Sequence, residues 1–544
     1  MADPVQQVER DRYTLNFVAE SVSRALSFVG GLISTVILWR SIAAGSWTAD
    51  DYGILKILTN TNQALLPLIL LGITGAIVRV AAEFSTDKEK LGQVVGVSVA
   101  FITITYLTIT ISAVFIGLDD VLLQSAANAG ADPLSLKIYW VIVLLTLLPQ
   151  AYLYITKSVF TGIQQMKRNT YIDIIYSTVR ILLLVTLFVT GLINILNVMM
   201  LNLGLVILAS VLALAQLQKQ MSKESIPWGF RPTSEIIDKI GVLASISLAG
   251  SLVAIFMNNV TVLWMNTYGT LQEVGLFSIA QGITLTARMV LAAPLVALVP
   301  NLTVEFEYGK FEELKRKFSE AARMIIPTYA FVFAVLFAFA TPALRVLYGA
   351  DSLPATAFLQ LLAFNIIFVL TPGIYGNLFL AINKLKAVLA ASLAQVALQI
   401  IWVVIVTPII GTYAIAMIWV AYIPYLLAIH EYSKRKYNLN IEASRAIGGL
   451  LLGGIFAIIM YLGQDMIYSI LHSVGLMNIL SATATCLSAV PFWFLFITIA
   501  TFFRLVNKRD LENLESVLKI IPPAWWISRP IIRKLVEISE RKEH

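Results

Sequence analysis

Asp51-Tyr52-Gly53, an apolar run, then Glu83-Phe84 and Lys88 make up a pattern that the chain uses twice. About 222 positions later stand Glu273-Val274-Gly275, a second apolar run, then Glu305-Phe306 and Lys310, in the same register. Phe160-Thr161-Gly162-Ile163-Gln164 with Lys167 is answered by Phe379-Leu380-Ala381-Ile382-Asn383 with Lys386, at an offset of about 219. Loops between apolar helices resemble one another by chance. Two echoes in one order at nearly one offset favour an internal duplication.

The runs between these markers set the class. Of 544 residues, 58% are hydrophobic and 13% charged, with a mean hydropathy of +0.82, far outside the range of soluble domains. Each run is about 20 residues long, enough for a helix to cross roughly 30 Å of hydrocarbon, and none shows the short alternation of a barrel strand. The sequence therefore predicts an all-α polytopic membrane protein with about 14 spans, from 21–44 through 170–190 and 275–301 to 478–503. The first run, longer than the apolar core of a signal peptide and followed by further spans, is expected to be retained. A single cysteine, Cys486, excludes an internal disulfide or a multi-thiolate metal site. His430, His472 and His544 set no metal-ligand spacing, and no Walker A loop is present, so neither a metal, a cofactor nor ATP hydrolysis is expected.

Charge placement orients the spans. Arg79, Lys88, Lys90, Lys167, Arg168, Lys219, Lys223, Arg231 and Lys239 fall on one side, as do Lys310, Lys315, Arg316, Lys317, Arg323, Lys384, Lys386, Lys434, Arg435, Lys436 and Arg445. The opposite loops carry Asp50, Asp51, Asp119, Asp120, Asp132, Glu273, Asp351 and Asp465. By the positive-inside rule both termini are cytoplasmic, in a cell (plasma) membrane, and the net charge of +7 reports topology and lipid contact before any nucleic-acid partner.

An offset near 220 encloses six spans, and an even number of crossings returns the second copy in the first copy's orientation. The expected organisation is a cytoplasmic N-terminus (1–20), an N-lobe of six spans (21–235), a C-lobe of six (236–432), two further spans (433–503) and a cytoplasmic tail (504–544). In that tail Trp525, Trp526, Arg529, Arg533 and Lys534 mix aromatic and basic residues as interfacial segments do. Lys310 to Arg323 reads as a short surface helix, with Glu312 paired to Arg316 and Glu313 to Lys317.

Ionisable residues inside the spans carry the functional signal, because each costs at least about 2.5 kcal/mol near the bilayer centre unless it faces protein or water. Nearly all are basic. Arg180 and Arg288 fall near mid-membrane, too deep for easy snorkelling. Arg24 and Lys157 lie in the cytoplasmic third, Arg40 and Lys56 in the outer third, where snorkelling and function both fit. Glu20 can share a helix face with Arg24, and Asp173 with Arg180 through Tyr176, so structural salt bridges account for those pairs equally well. A positive excess remains, with Asn60, Asn62, Gln63, Asn258, Asn259 and Gln281 as polar company. Such a cavity is matched to an anion, and arginine binds phosphate through paired donors.

Several stretches carry a family likeness: Arg40 to Gly53 (RSIAAGSWTADDYG), Gly72 to Glu83 (GITGAIVRVAAE), Phe160 to Arg168 (FTGIQQMKR), Glu273 to Ala280 (EVGLFSIA) and Pro300 to Leu314 (PNLTVEFEYGKFEEL). In these, over residues 13 to about 520, the chain resembles the polysaccharide transporter branch of the MOP flippase superfamily, the Wzx-like proteins that move lipid-linked oligosaccharides. The resemblance implies two six-helix lobes, MATE-like in fold, that open alternately to the two sides, with a cationic cavity for the phosphate of a polyprenyl-linked glycan. It also implies as partners the polyprenyl-linked oligosaccharide, membrane lipids and glycan-assembly enzymes. Functional arginines in the first, second and eighth spans of lipid II flippases map by span onto Arg24, Lys56 and Arg288, with Lys56 departing in type. Where relatives carry an acid in the seventh span, this chain has Asn258-Asn259, which speaks against ion coupling there.

Two other readings compete. A multidrug or organic-cation antiporter would want buried carboxylates, and the interior offers chiefly Asp173. A membrane glycosyltransferase or glycan polymerase would have only the Asp119-Asp120 pair to hold a metal. The orientation is testable because Cys486 is the sole cysteine. In a Cys486→Ala background, Lys88→Cys and Lys436→Cys should react with an impermeant thiol reagent only from the cytoplasmic side, and Asp120→Cys and Asp351→Cys only from outside.

Overall fold

The computed structural model describes residues 29–85, 87–128, 131–231, 233–244, 248, 259–368, 370–382, 384–437, 443–473, 478–503, 511 and 529–537. These residues are helical, with no strand among them. They include nine helices long and apolar enough to cross a membrane, or ten if the bent pair Ala49–Leu70 (α2) and Ile73–Glu83 (α3) is one span. The protein is thus a multi-pass membrane protein. By internal packing the chain divides into two compact units, residues 1–279 and 280–544.

In the first unit, Val29–Ala43 (α1) leads into α2, which opens with a capping box: Asp51 N donates to Thr48 Oγ1 at 3.2 Å and Thr48 N to Asp51 Oδ2 at 2.9 Å. Pro67 and a left-handed pair, Leu71 (φ 42°) and Gly72 (φ 74°), turn α2 into α3 through 45°. Lys88–Phe115 (α4) and Leu118–Asn128 (α5) follow. Pro133–Gly162 (α6) is the hub, packed on α2, α3, α4 and Ile195–Glu224 (α8), with Met166–Val189 (α7) lying against α8. Gly162 lets α6 approach α3 so closely that a Cβ there would stand 2.7 Å from the Val78 carbonyl oxygen.

The echoes read from the sequence are caps and turns of like geometry. Leu271–Glu307 (α11) opens with the same box as α2, Glu273 N donating to Thr270 Oγ1 at 3.2 Å and Thr270 N to Glu273 Oε2 at 2.9 Å. The second echo is one turn made twice: Gln165 N donates to Phe160 O at 2.7 Å and Lys384 N to Phe379 O at 2.8 Å. A third, unnoticed in the sequence, is the pair Gly191 (φ 69°) and Gly411 (φ 66°), each ending the helix after that turn. The first helical turns of α2 and α11 also touch each other reciprocally. A Cβ on Gly53 would lie 2.2 Å from the Leu271 carbonyl oxygen, and one on Gly275 would lie 3.1 Å from that of Ala49.

A helix over 234–244 (α9) straps the chain between α8 and Val260–Tyr268 (α10) onto α4. Gly229 N donates to Gly92 O at 3.1 Å and Thr233 N to Gln93 Oε1 at 3.2 Å. Glu235 then meets Lys90 at 2.8 Å and Lys239 at 3.0 Å, and Lys239 also meets Glu83. Both lysines lie over the Phe84 ring, at 4.9 and 4.8 Å. The hydrogen bond from Lys90, and then that from Lys239, holds the Glu235 carboxyl below its usual range.

The second unit is built on Phe311–Ala338 (α12), which packs along Ala443–Ser473 (α20). Gly453 brings their backbones together, since a Cβ there would be 2.8 Å from the Ala330 carbonyl oxygen. Phe318, Tyr329, Tyr375, Phe379, Phe456 and Phe496 fill the core. The expected surface helix at 310–323 is the first part of α12 and not a separate element. Its pairing is also one residue tighter than expected, Glu312 with Lys315 and Glu313 with Arg316, while Lys317 reaches back to Glu305. Likewise Asp119 and Asp120 open α5 and do not sit in a bare loop; acids there complement the helix dipole. Of the tail, residues 529–537 form a helix, and Trp525 and Trp526 lie outside the described residues.

Two outcomes follow from this packing. Gly53→Ala should lower the thermal midpoint of the purified protein more than Gly275→Ala, the first costing about 1–3 kcal/mol by overpacking. Because the Glu235 carboxyl is depressed, the strap's contribution is complete above the ordinary glutamate pKa of about 4.3 and is lost as pH falls through the lower folded value. Amide exchange over 234–244 should therefore be slow at neutral pH and quicken in acid, and Glu235→Gln should make it fast throughout.

Candidate functional site

A tight corner sets the phase of α7. Gln164 takes a left-handed φ of 57°, and the Asn169 amide donates to Lys157 O at 3.0 Å and Thr161 Oγ1 at 3.1 Å. Arg168 donates to the Gln216 carbonyl at 3.0 Å and to the Gln220 side chain, pinning α7 to α8. With that end fixed, Asp173, Tyr176 and Arg180, spaced three and four apart, share one face of the helix.

That face borders a partly open cavity of about 140 Å³ lined by α2, α6, α7 and α8. Thr59, Asn62, Gln63, Thr146, Gln150, Tyr176, Arg180 and Asn202 supply its polar lining, and among the described residues no carboxylate lines it. Arg180 Nε and Gln150 Oε1 are buried without a hydrogen-bond partner among the described residues. Thr59 and Thr146 donate to the carbonyls of Leu55 and Ile142, which leaves their oxygens as acceptors. Asn259 donates to the Gln63 carbonyl at 3.4 Å nearby.

The other predicted cations sit differently. Lys157 meets Asp173 at 2.6 Å, with side chains only 27% and 18% exposed. Sequence spacing matches Asp173 to Arg180 along its own helix; the end of α6 lies opposite the start of α7 and presents Lys157 to Asp173 instead. Lys56 lies 5.1 Å from the centroid of the Tyr52 ring and within electrostatic reach of Arg180. Arg40 is half-buried near the end of α1. Arg24, Glu20 and Asn258 lie outside the described residues.

In the second unit Arg288, on α11, is half-buried, and its Nε has no hydrogen-bond partner among the described residues. It lies within electrostatic reach of Tyr422, at the start of Tyr422–Tyr437 (α19). Gln399, on Leu385–Ile410 (α17), donates to the Tyr422 hydroxyl at 2.6 Å, and Gln395 stands one turn earlier on the same face. Gln395 lies close enough to Tyr422 to interact with its hydroxyl, and Gln399 Oε1 is buried without a hydrogen-bond partner among the described residues. None of these three neutral residues was singled out from sequence. Two signals could have found them: glutamines four apart in an otherwise apolar span, and the repeat register. Gln395 and Gln399 occupy the positions of Tyr176 and Arg180 at an offset of about 219, and Tyr422 that of Asn202 at about 220.

Among the described residues no three His, Cys, Asp or Glu side chains converge to hold a metal. Asp119, Asp120 and Lys137 border a hollow of about 350 Å³ on α5 and α6. Two unlike clusters thus stand out, each with one guanidinium set among neutral donors and acceptors.

Neither a protein-family profile nor a curated protein sequence matches the chain. Solved structures do. The lipid II flippase MurJ in an inward closed conformation aligns at TM-score 0.66 and 15% identity, over 89% of this chain and 98% of that one. A multidrug-resistance MATE transporter of the MOP superfamily, inward-facing, aligns at 0.58 and 15%, over 82% and 98%. A MOP-superfamily transporter from Pyrococcus furiosus, described as having a binding pocket of reverse polarity, aligns at 0.53 and 16%, over 82% and 96%. The chain therefore has the all-α fold of MOP-superfamily transporters.

Proposed function

We propose that the protein is a flippase that carries a polyprenyl-phosphate- or pyrophosphate-linked oligosaccharide from the cytoplasmic to the outer leaflet by alternating access, and that it is not an enzyme. The observation that carries this reading is the pair Arg180 and Arg288. Each is half-buried in its own unit, each has an Nε without a partner among the described residues, and neither is in an ion pair with a carboxylate there. A guanidinium held in this way within a span is stabilised by an oxyanion ligand, which accepts paired hydrogen bonds and supplies the missing countercharge.

In this mechanism Arg180 and Arg288 hold the phosphate, Arg24 and Lys157 receive it from the cytoplasmic side, and Arg40 or Lys56 guide its exit. Asp173 tempers Lys157, so that site binds weakly enough to hand the anion on. The acyl chain stays in the bilayer while the glycan crosses between an N-lobe at 21–235 and a C-lobe at 236–432. Both termini are cytoplasmic in a plasma membrane, and the product supplies cell-surface polysaccharide or glycoprotein assembly. An organic-cation antiporter is disfavoured because among the described residues the Arg180 cavity is lined by a guanidinium and by no carboxylate.

Translocation of a fluorescent polyprenyl-diphosphate oligosaccharide in proteoliposomes tests the proposal. A charge-assisted hydrogen bond contributes about 1.5–3 kcal/mol, so Arg180→Ala and Arg288→Ala should each slow transport by about 10- to 100-fold. Asp119→Asn with Asp120→Asn should leave it unchanged, whereas an enzyme using that pair would lose its activity. Full transport in both arginine variants would remove the phosphate-carrier mechanism.

A further inference from the structure

The Arg180 cavity is chemically more particular than a phosphate site. A phosphate group offers almost only acceptors, so a pocket built for it alone would present donors throughout. This one presents both. Among the described residues Arg180 Nε is an unused donor and Gln150 Oε1 an unused buried acceptor, and the Thr146 hydroxyl, its proton committed to Ile142 O, is left as an acceptor. Gln63, Asn202 and Tyr176 complete a ring of groups able to donate or accept. A ligand that satisfies this set carries one negative charge together with several hydroxyls, since hydroxyls give as well as take hydrogen bonds. With a volume of about 140 Å³ and one open side, the cavity has room for about one ring of a ligand whose remainder extends beyond it.

We infer that this cavity is a subsite for a single anionic sugar residue, with the acidic group on Arg180 and ring hydroxyls on Gln150, Thr146 and Asn202. The inference rests on the flippase reading for its context and names the part of the substrate that the first unit selects. The acid is either the phosphate at the anomeric carbon of the lipid-linked sugar or a carboxylate on the sugar itself. Gln150 is then a specificity-determining residue: its amide offers one acceptor and one donor group, a set that a hydroxyl beside the anion uses in full and a bare oxyanion uses only in part.

Binding to the purified full-length protein in nanodiscs, followed by calorimetry, tests this with four probes: glucose 1-phosphate, methyl glucuronide, methyl glucoside and inorganic phosphate. Either glucose 1-phosphate or methyl glucuronide should bind at least tenfold more tightly than both methyl glucoside and inorganic phosphate, and whichever does identifies the source of the charge. Gln150→Met should reduce that preference over inorganic phosphate to within about threefold. Gln150→Glu, which places a carboxylate beside Arg180, should lower affinity for the charged sugar at least tenfold, and each variant's thermal midpoint shows that it is folded. Inorganic phosphate binding as tightly as the charged sugars, the absence of binding by any probe, or a preference unmoved in both variants would overturn the subsite. The outcomes separate from those of the transport assay. Lost selectivity with intact translocation sinks the subsite alone, and retained selectivity without translocation sinks the flippase reading alone.

Discussion

A charged guanidinium within the hydrocarbon layer must be given polar surroundings by the protein, and much of this molecule is arranged around that requirement. Estimates of the cost begin at about 2.5 kcal/mol and rise steeply on an isolated helix. Around Arg180 the requirement is met by amides and hydroxyls from four helices, held in register by the Asn169 and Arg168 bonds at the α6–α7 corner. Near Arg288 stands Tyr422, whose hydroxyl is in turn engaged by Gln399 and Gln395. Neither arrangement cancels the charge. A neutral polar shell makes the cation tolerable while keeping it available, whereas a carboxylate would have neutralised it, as Asp173 does for Lys157.

The fold was legible because its punctuation is chemical. Thr48 with Asp51 and Thr270 with Glu273 are the same cap, and only a few residue types can make it, so it reads as an echo although the apolar runs that follow differ. The six-residue turns at Phe160 and Phe379 stand out for the same reason. What stayed hidden is what hydrophobicity does not encode. The bend at Leu71-Gly72 and the fusion of the 311–323 segment into α12 are matters of backbone geometry and helix continuation. Charge spacing at four residues gave the wrong partners for Glu312 and Glu313, because i,i+3 pairs lie as close on a helix surface as i,i+4 pairs.

At the candidate site the sequence showed the charges and concealed their company. Arg180 and Arg288 stand out in apolar runs, where any reader would stop. Gln395, Gln399 and Tyr422 do not, because a neutral side chain in a span costs little enough to pass unnoticed. The pairing of Lys157 with Asp173 was equally out of reach, since it depends on which residues of α6 and α7 face each other beyond their shared corner.

The approach of Gly53 to Leu271 is answered by that of Gly275 to Ala49, so the contact between the starts of α2 and α11 is self-complementary in the manner of an isologous interface. Such a contact presents each glycine to the backbone of the opposite helix, and the clearances of 2.2 and 3.1 Å measure how far the two halves of the contact depart from strict two-fold symmetry. The tighter side leaves no freedom in residue type, and the looser side leaves a little.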